Sequence, residues 1–593
     1  MRVVDAIATW FAEVGVQHYF GYAGGAVWPF MDALVDHPEM DGIQAKIESN
    51  AVHMADIYWR TTGRIAPVIV TKGPGLLNTV GAMASAMHDT SAVLLLAGAG
   101  STHFYGKAGM QEIYYRGHED AVNVLRPVTK GVWVVNRPDA VIDTLNQAYK
   151  LAVTGRPGPV FVQLPYDIQL AEVEGTVEPP PARAVSSRIR ADGESLARAA
   201  ELVRNAEKPL ILAGGGVRFS KGAPESLQAL SERFDLPFIT SLTGKGVVTE
   251  EHPNSAGVVG RSGTFAAAQA SRAADLVVAI GARFSDNHTS NWRDGKIYDM
   301  TRTKIVQVDL DVTEISRNYP VAVGLLSDAK VFIDDLCAEL ERAGDNPDRS
   351  GWLEEIRGYK QEWEAEIDPL IHATTDPIHP ARLCYEIGEA IARTNGRVFI
   401  DVGDVIQYAE PYMTIRAADA WHINPGMAEM AWASSGVLGA VAADRTRPAI
   451  ALTGDGAFNM VSNSLATAVE YDLPAIWVIL NNFELGIERK GSNNSYKRTH
   501  PWVRFVRRDT GEPYNPDYVK LADANGARGE VVQNAADFAP ALERAIASGR
   551  PSVIDVRIDL TVPSYFTKGI DRAYPDKWGE SYPGYGSLRL PSR

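Results

Sequence analysis

Short, almost unbroken apolar runs alternate along this chain with longer stretches whose apolar residues recur at helical spacing. Residues 18–21, 66–71, 209–213, 276–280, 305–308, 397–402, 448–453, 475–480 and 552–558 are runs of the first kind. Apolar residues on both faces predict strands of a parallel sheet that is covered on both sides. Segments such as 1–16 and 49–62 place their apolar residues on one helical face and predict amphipathic helices between the strands. Two stretches interrupt the alternation: residues 174–192, with three consecutive prolines, and the charged helical stretch 343–380. The expected fold is therefore α/β, with three doubly wound parallel-sheet domains at residues 1–175, 190–345 and 378–558. A tail, 559–593, rich in Tyr, Trp, Pro and Gly, is too aromatic for a disordered end and reads as an ordered flap.

Composition narrows the class. At 593 residues the chain is long enough for several domains. A net charge of −15 argues against a general nucleic-acid binder and leaves room for a local basic pocket. The two cysteines, Cys337 and Cys384, lie in apolar helical contexts and read as thiols of a reducing compartment. No run reaches the roughly 18 apolar residues of a membrane span. The amphipathic first helix lacks a cleavage pattern, so the expectation is a cytoplasmic enzyme without a membrane partner.

The candidate chemistry gathers where strands end. Gly454-Asp455-Gly456 follows one apolar run, and Asn481-Asn482 closes the next, with Asn482 27 residues after Asp455. Ligands of doubly wound sheets sit at the carboxyl edge of the strands. Asp455 and Asn482 can each offer an oxygen there to a divalent cation such as Mg²⁺, which takes few protein ligands and completes its shell with phosphate and water. Gly454, Gly456 and Ala457 let backbone N–H groups approach phosphate at a helix start. In the middle segment Arg218, Lys245, Arg261, Arg283 and Asp309 fall at or near strand ends and are candidates for a nucleotide site.

This pattern resembles the thiamine diphosphate (ThDP) enzymes of the acetolactate synthase and oxalyl-CoA decarboxylase superfamily. The resemblance extends to about residue 558 and rests on Glu48, the TKGPG turn that begins 23 residues later at Thr71, Met430, the GDG and the Asn pair. It implies a pyrimidine-binding first domain, a nucleotide-binding-like middle domain, a diphosphate- and Mg²⁺-binding third domain, and a C-terminal lid. By that resemblance Asp455, the Asn482 side chain and the Glu484 main-chain carbonyl hold the metal. Gly403 and Asp404 meet the diphosphate. Glu48 relays a proton to the aminopyrimidine, which Ala428 and Met430 hold in a bent cofactor. Gly24, Gly25, Gln111 and Leu125 line the substrate side. Lys72 departs from the small polar residue usual in that turn. Relatives of the synthase branch hold FAD in the middle domain, and those of the lyase branch hold ADP or the nucleotide of CoA; the segment 281–291 looks more like the flavin branch, and an empty domain is also open.

Within the superfamily the most telling departure is Glu488, where acetolactate synthases and glyoxylate carboligases typically carry an apolar residue. Glyoxylate carboligases also carry an apolar residue in place of Glu48. A carboxylate facing the substrate can move a proton between a hydroxyl and a carbanion. Together with the tail, Glu488 makes the chain most like an actinobacterial 2-hydroxyacyl-CoA lyase, which releases formyl-CoA and a ketone or aldehyde, with Ile487 limiting the acyl group. The alternatives are an acetolactate synthase-like carboligase, a 2-oxo acid decarboxylase, and a non-catalytic regulatory homologue. The resemblance implies a homodimer at least and a homotetramer as is usual.

Overall fold

The computed structural model describes residues 1–107, 109–113, 117, 119–174, 177, 187–344, 347–559 and 561–563. Among the described residues, eighteen strands form three six-stranded sheets, and all the pairings between them are parallel. In the first domain these are β1 (His18–Gly21), β2 (Asp41–Gln44), β3 (Val68–Val70), β4 (Leu94–Ala99), β5 (Gly131–Val134) and β6 (Val160–Pro165), in the order β2-β1-β3-β4-β6-β5. The middle domain holds β7 (Pro209–Ala213), β8 (Phe238–Thr240), β9 (Ser255–Val258), β10 (Leu276–Ile280), β11 (Lys304–Asp309) and β12 (Val323–Leu326), in the order β12-β11-β10-β7-β8-β9. That is the dinucleotide-fold order, with its switch point between β7 and β10. The third domain holds β13 (Arg397–Ile400), β14 (Trp421–Ile423), β15 (Ala449–Gly454), β16 (Ala475–Asn481), β17 (Arg528–Val532) and β18 (Ser552–Arg557). Its order, β14-β13-β15-β16-β18-β17, repeats the topology of the first.

The central strands β4, β6 and β16 are buried along their whole length, as their apolar runs require. Some boundaries are tighter than the apolar runs. The run at 66–71 pairs only over Val68–Val70, because Pro67 has no N–H to give to a ladder. The run at 397–402 ends at Ile400, because Asp401 turns in to accept hydrogen bonds from the N–H groups of Ala433 (3.0 Å) and Ser434 (3.3 Å). The charged stretch after the middle domain contains the helix Ser350–Ile371, with Trp352, Ile356 and Trp363 buried beneath it. Most of the proline-rich stretch after residue 174, and the tail beyond residue 563 on which the lid expectation rests, lie outside the described residues.

The first and third domains meet through two helices, Glu48–Thr62 and Trp432–Ala443. Glycines make the approach possible: a Cβ on Gly439 would stand 2.0 Å from the Met54 carbonyl oxygen, and one on Gly436 2.8 Å from that of His53. Asp56 sits fully buried in this seam, paired with Arg60 (2.6 Å) and accepting from the Trp432 indole (2.8 Å). Gly439→Ala is expected to force the helices apart at a cost of about 1–3 kcal/mol. Calorimetry should show a melting temperature several degrees lower, whereas Gly358→Ala, inside the helix Ser350–Ile371 with open space around its Cβ, disturbs no such seam.

Candidate active site

The carboxyl edge of the third sheet carries the most developed group of polar residues. Asp455, first residue of the helix Asp455–Val461, is 1% exposed. Its carboxylate accepts from the N–H groups of Gly456 (2.8 Å) and Phe483 (2.7 Å) and from the Asn515 amide (2.7 Å). Burial is the largest influence on this carboxyl and pushes it up to about 7, against the pull of those three donors. A nearby cation would favour the charged form. Asn482 and Glu484 share the cavity with Asp455. The Glu484 side chain itself turns away to Arg489 (2.6 Å). The two asparagines divide their tasks: Asn482 faces the cavity, while Asn481 donates inward to Asp555 (2.9 Å).

Asn515 was not singled out from the sequence. It donates both to Asp455 and to the Asn481 side-chain oxygen (2.9 Å), which ties the ends of β15 and β16 together from a distant loop. No local pattern marks it, since it lies 60 residues from Asp455.

The helix Asp404–Tyr412 supplies the next wall. It is entered through Gly403 at φ 108°, a conformation that requires glycine. Asp404 pairs with Lys490 (2.8 Å). A Cβ on Gly486 would stand 2.2 Å from Asp404 Oδ2 and 2.8 Å from Asn482 Nδ2, so only a glycine lets these elements close. Across the cavity the loop of Ala428 and Met430 is bent by positive φ at Ala428 (53°) and Ala431 (73°). Phe483, next to Asn482, shows the same strain at 57°. Backbone outliers of this kind gather at ligand sites.

Gly403, Asp404, Ala428, Met430, Asp455, Asn482, Glu484 and Gly486, with Gly454, Gly456 and Ala457, line one cavity of about 430 Å³. Ile487 and Glu488, in the first turn of the helix Gly486–Tyr496, also line it, and Glu488 is exposed there. The cavity fits a diphosphate–metal group. It offers one carboxylate, one side-chain amide and main-chain groups beside glycines. No set of three His, Cys, Asp or Glu side chains able to cage an ion exists among the described residues. A hard cation here must complete its shell with ligand oxygens and water, as Mg²⁺ does. Ile558 closes one side, and the Tyr408 hydroxyl, on the helix Asp404–Tyr412, donates to the Val562 carbonyl (3.1 Å).

A second group lies at the carboxyl edge of the first sheet. Glu48 opens its helix, is 8% exposed and accepts from the Asn78 amide (2.9 Å). The TKGPG turn passes close above it: a Cβ on Gly75 would stand 3.1 Å from Glu48 Oε1 and 2.8 Å from Thr71 Cγ2. Gly24 packs on the same Thr71, and Gly73 lies against the Gln111 carbonyl, whose residue has φ 61°. Lys72 has an evident task here, since its ammonium meets Glu112 (3.0 Å), whose side chain is 3% exposed. That pair pins the Gln111 strand of chain to the turn. Gly25 begins a short 3₁₀ turn, and Leu125 is fully buried in the core shared by the first and third domains.

One chain holds these two groups apart. Neither Glu48 nor Gly24, Gly25, Gln111 or Leu125 lines the cavity of Asp455 and Glu488. The start of the Glu48 helix is instead tied, through Asn50, to Asn463 (3.2 Å) and Ser464 (3.1 Å), beyond the far end of the seven-residue helix that Asp455 opens. That helix alone is roughly 10 Å of rise.

The middle domain opens on a separate cavity of about 730 Å³ at the ends of β7, β10 and β11. Arg218, Arg283 and Asp309 line it, with Gly215 and Gly216. Gly214 meets the Gly281 carbonyl oxygen 2.0 Å from where its Cβ would be, so the two strand ends close tightly. Burial pushes the Asp309 carboxyl up and brings the Arg218 guanidinium down to about 10. The other two candidates lie elsewhere. Lys245 is buried and paired with Glu250 (2.7 Å), which also accepts from the Ile415 N–H (2.7 Å) and so joins the middle to the third domain. Arg261 lines the cavity of Asp455 and pairs with Asp286 (3.1 Å).

Family models match the chain in three places: the thiamine pyrophosphate enzyme N-terminal TPP binding domain over residues 1–120, the central domain over 196–336, and the C-terminal TPP binding domain over 401–556. The chain is 34% identical to a probable acetolactate synthase large subunit of Methanocaldococcus jannaschii, across 94% of this chain and 92% of the relative. It is 31% identical to the glyoxylate carboligase of Escherichia coli O157:H7, across 92% and 91% respectively. With the acetolactate synthase large subunit of Haemophilus influenzae it shares 29%, across 92% of each.

Asn515 gives a test of the cavity that does not involve a direct donor. Groups that orient a metal ligand typically affect affinity by about 10–100-fold. Asn515→Ala is expected to weaken Mg²⁺-dependent binding of thiamine diphosphate by that range, read by tryptophan-fluorescence titration, with little change in melting temperature.

Proposed function

Because the chain belongs to the thiamine pyrophosphate enzyme family, we propose that it is a carbon–carbon lyase that cleaves a short 2-hydroxyacyl-CoA, such as 2-hydroxyisobutyryl-CoA, reversibly to formyl-CoA and a ketone or aldehyde. The observation that carries this reading is Glu488, an exposed carboxylate on the wall of the cavity that contains Asp455, Asn482 and Met430. When bound, thiamine diphosphate supplies the nucleophilic carbon and the electron sink for breaking the bond between C1 and C2. Glu488 takes the proton of the substrate hydroxyl as that bond breaks and C2 becomes a carbonyl, then returns it to C1 before formyl-CoA leaves. Ile487 stands beside it and restricts the acyl group to short or branched forms.

Asp455, Asn482 and the Glu484 main-chain carbonyl hold Mg²⁺, and Gly403, Asp404, Gly454, Gly456 and Ala457 surround the diphosphate. Ala428 and Met430 hold the aminopyrimidine, and Glu48 relays the proton to it. The separation of Glu48 from Asp455 within one chain requires two copies, the first-domain group of one facing the third-domain group of the other. Exposed apolar side chains next to both groups in the chain suit such a contact: Trp28 and Met110 on one, Met427, Met460 and Trp502 on the other. A tetramer then pairs two such dimers. The 730 Å³ cavity of the middle domain has the size of a nucleotide site and can take the nucleotide of CoA, ADP or FAD.

The named relatives favour a second reading, a carboligase of 2-oxo acids, since they include acetolactate synthases and a glyoxylate carboligase. The purified protein with thiamine diphosphate and Mg²⁺, offered 2-hydroxyisobutyryl-CoA and pyruvate separately, distinguishes the two by product mass. The lyase reading expects formyl-CoA and acetone, and a fall in turnover of roughly 10²–10⁴-fold for Glu488→Ala with cofactor binding intact. Acetolactate from pyruvate, with the CoA ester untouched, would overturn it in favour of the carboligase.

A further inference from the structure

Among the described residues, six acidic ones line the cavity of Asp455, namely Asp286, Asp404, Glu410, Asp455, Glu484 and Glu488, against one basic residue, Arg261. A diphosphate adds more negative charge, so the cavity can take one only where these carboxylates are offset. Most of the offsets are evident. Arg261 pairs with Asp286 (3.1 Å), and Arg489 pairs with Glu484 (2.6 Å). Burial, the largest influence on Glu410, pushes its carboxyl up to about 8 and leaves it mainly uncharged near neutral pH. Glu488 is exposed to solvent, and Asp455 is the carboxylate offered to the cation. Asp404 remains. It opens the helix Asp404–Tyr412, its side chain is 7% exposed, and its partner is the Lys490 ammonium at 2.8 Å.

Lys490 does not itself line the cavity. It lies on the helix Gly486–Tyr496, two residues after Glu488, and is largely buried. Its ammonium also donates to the Tyr408 hydroxyl oxygen (2.7 Å), and that hydroxyl donates in turn to the Val562 carbonyl. Burial pushes the Tyr408 hydroxyl up, so it keeps its proton, and Asp404 is the anionic partner of the lysine. We propose that Lys490 is a positioning residue for the cofactor, whose charge offsets Asp404 and so allows the edge at Gly403 and Asp404 to accept a diphosphate. This rests on the placement of the diphosphate at that edge and on no choice of substrate. What sets the affinity is then the net charge of the Asp404–Lys490 pair, not the presence of the lysine as such.

The test measures thiamine diphosphate affinity at fixed Mg²⁺ by tryptophan fluorescence in four forms of the full chain. Wild type and the double variant Asp404→Asn/Lys490→Met carry a neutral pair. Lys490→Met alone leaves a negative charge there, and Asp404→Asn alone leaves a positive one. Affinity is expected to follow that charge. Lys490→Met should bind roughly 10–100-fold more weakly than wild type, and Asp404→Asn more tightly. The double variant should return to within about threefold of wild type. A lysine that merely held its helix in place would leave Lys490→Met and the double variant equally weak. That result would overturn the proposal, as would equal affinity in all four forms. If Lys490→Met alone does not fold, the other two variants carry the test: Asp404→Asn should bind roughly tenfold more tightly than the double variant, and equal affinity would overturn the proposal. Asp455→Ala separates this failure from that of the site. Binding lost in Asp455→Ala but equal in the four forms would refute the role of Lys490 and keep the cofactor reading. Wild-type protein that binds no thiamine diphosphate would refute both.

Discussion

The packing of the helix Glu48–Thr62 on the helix Trp432–Ala443 is the constraint on which the rest of this structure depends. The two backbones touch at Gly436 and Gly439, and the buried Asp56–Arg60 pair and the Trp432 indole fill the seam between them. A buried ion pair adds little stability by itself and strongly penalises any arrangement that separates it, so the seam fixes one register. Both helices carry candidate site residues near their starts: Glu48 opens the first, and Met430 lies two residues before the second. His53 extends the tie by meeting Ser435 (2.7 Å) and Glu429 (3.1 Å), the neighbour of Met430. One contact therefore sets the position of two chemically different groups, and sets them apart.

That separation explains the shape of the molecule. The first and third domains repeat one topology, and each directs its polar residues to the carboxyl edge of its sheet, where strand ends and helix starts leave N–H groups unpaired. The third domain provides the anionic, glycine-lined edge suited to a cation and a diphosphate. The first provides a buried glutamate beneath a tight turn. Neither group is a complete site for a cofactor that needs both a metal-bound end and an aminopyrimidine partner. The middle domain, built on the dinucleotide order, braces the third through Lys245, Glu250 and Ile415 while keeping its own larger cavity. Arg261, Ser262 and Asn287 show that it also shapes one wall of the smaller cavity.

Much of this was legible in the sequence because parallel strands buried on both faces leave unbroken apolar runs. The strands Pro209–Ala213 and Leu276–Ile280 stand where their runs place them. Edge strands such as Arg528–Val532 are half-exposed and mixed in character, and gave no such signal. Candidate residues at strand ends could be singled out from local pattern, as Asp455 and Asn482 were, whereas Gly403 was marked by the family resemblance. Asn515 and Lys490 could not be singled out, since what distinguishes them is the partners that folding brings. Among the nucleotide candidates, Lys245 and Arg261 followed the strand-end pattern as well as Arg218 and Arg283 did. Their surroundings differ because loops after strand ends can turn toward either neighbouring domain, which spacing does not encode. Lys72, unexplained by pattern, became intelligible once Glu112 was seen 3.0 Å away.

The central claim is that a working site joins the Glu48 group of one chain to the Asp455 group of another, and subunit mixing tests it most directly. Glu48→Ala and Asp455→Ala proteins, each inactive alone, are dissociated, mixed in equal amounts and reassembled. If sites form between chains, half of the dimers are hybrids with one intact site in two, and thiamine diphosphate-dependent turnover should return to about a quarter of wild type. Mixed protein that exchanges subunits, as mass measurement would show, yet stays as inactive as its parents would contradict the account and place both groups in a single-chain site.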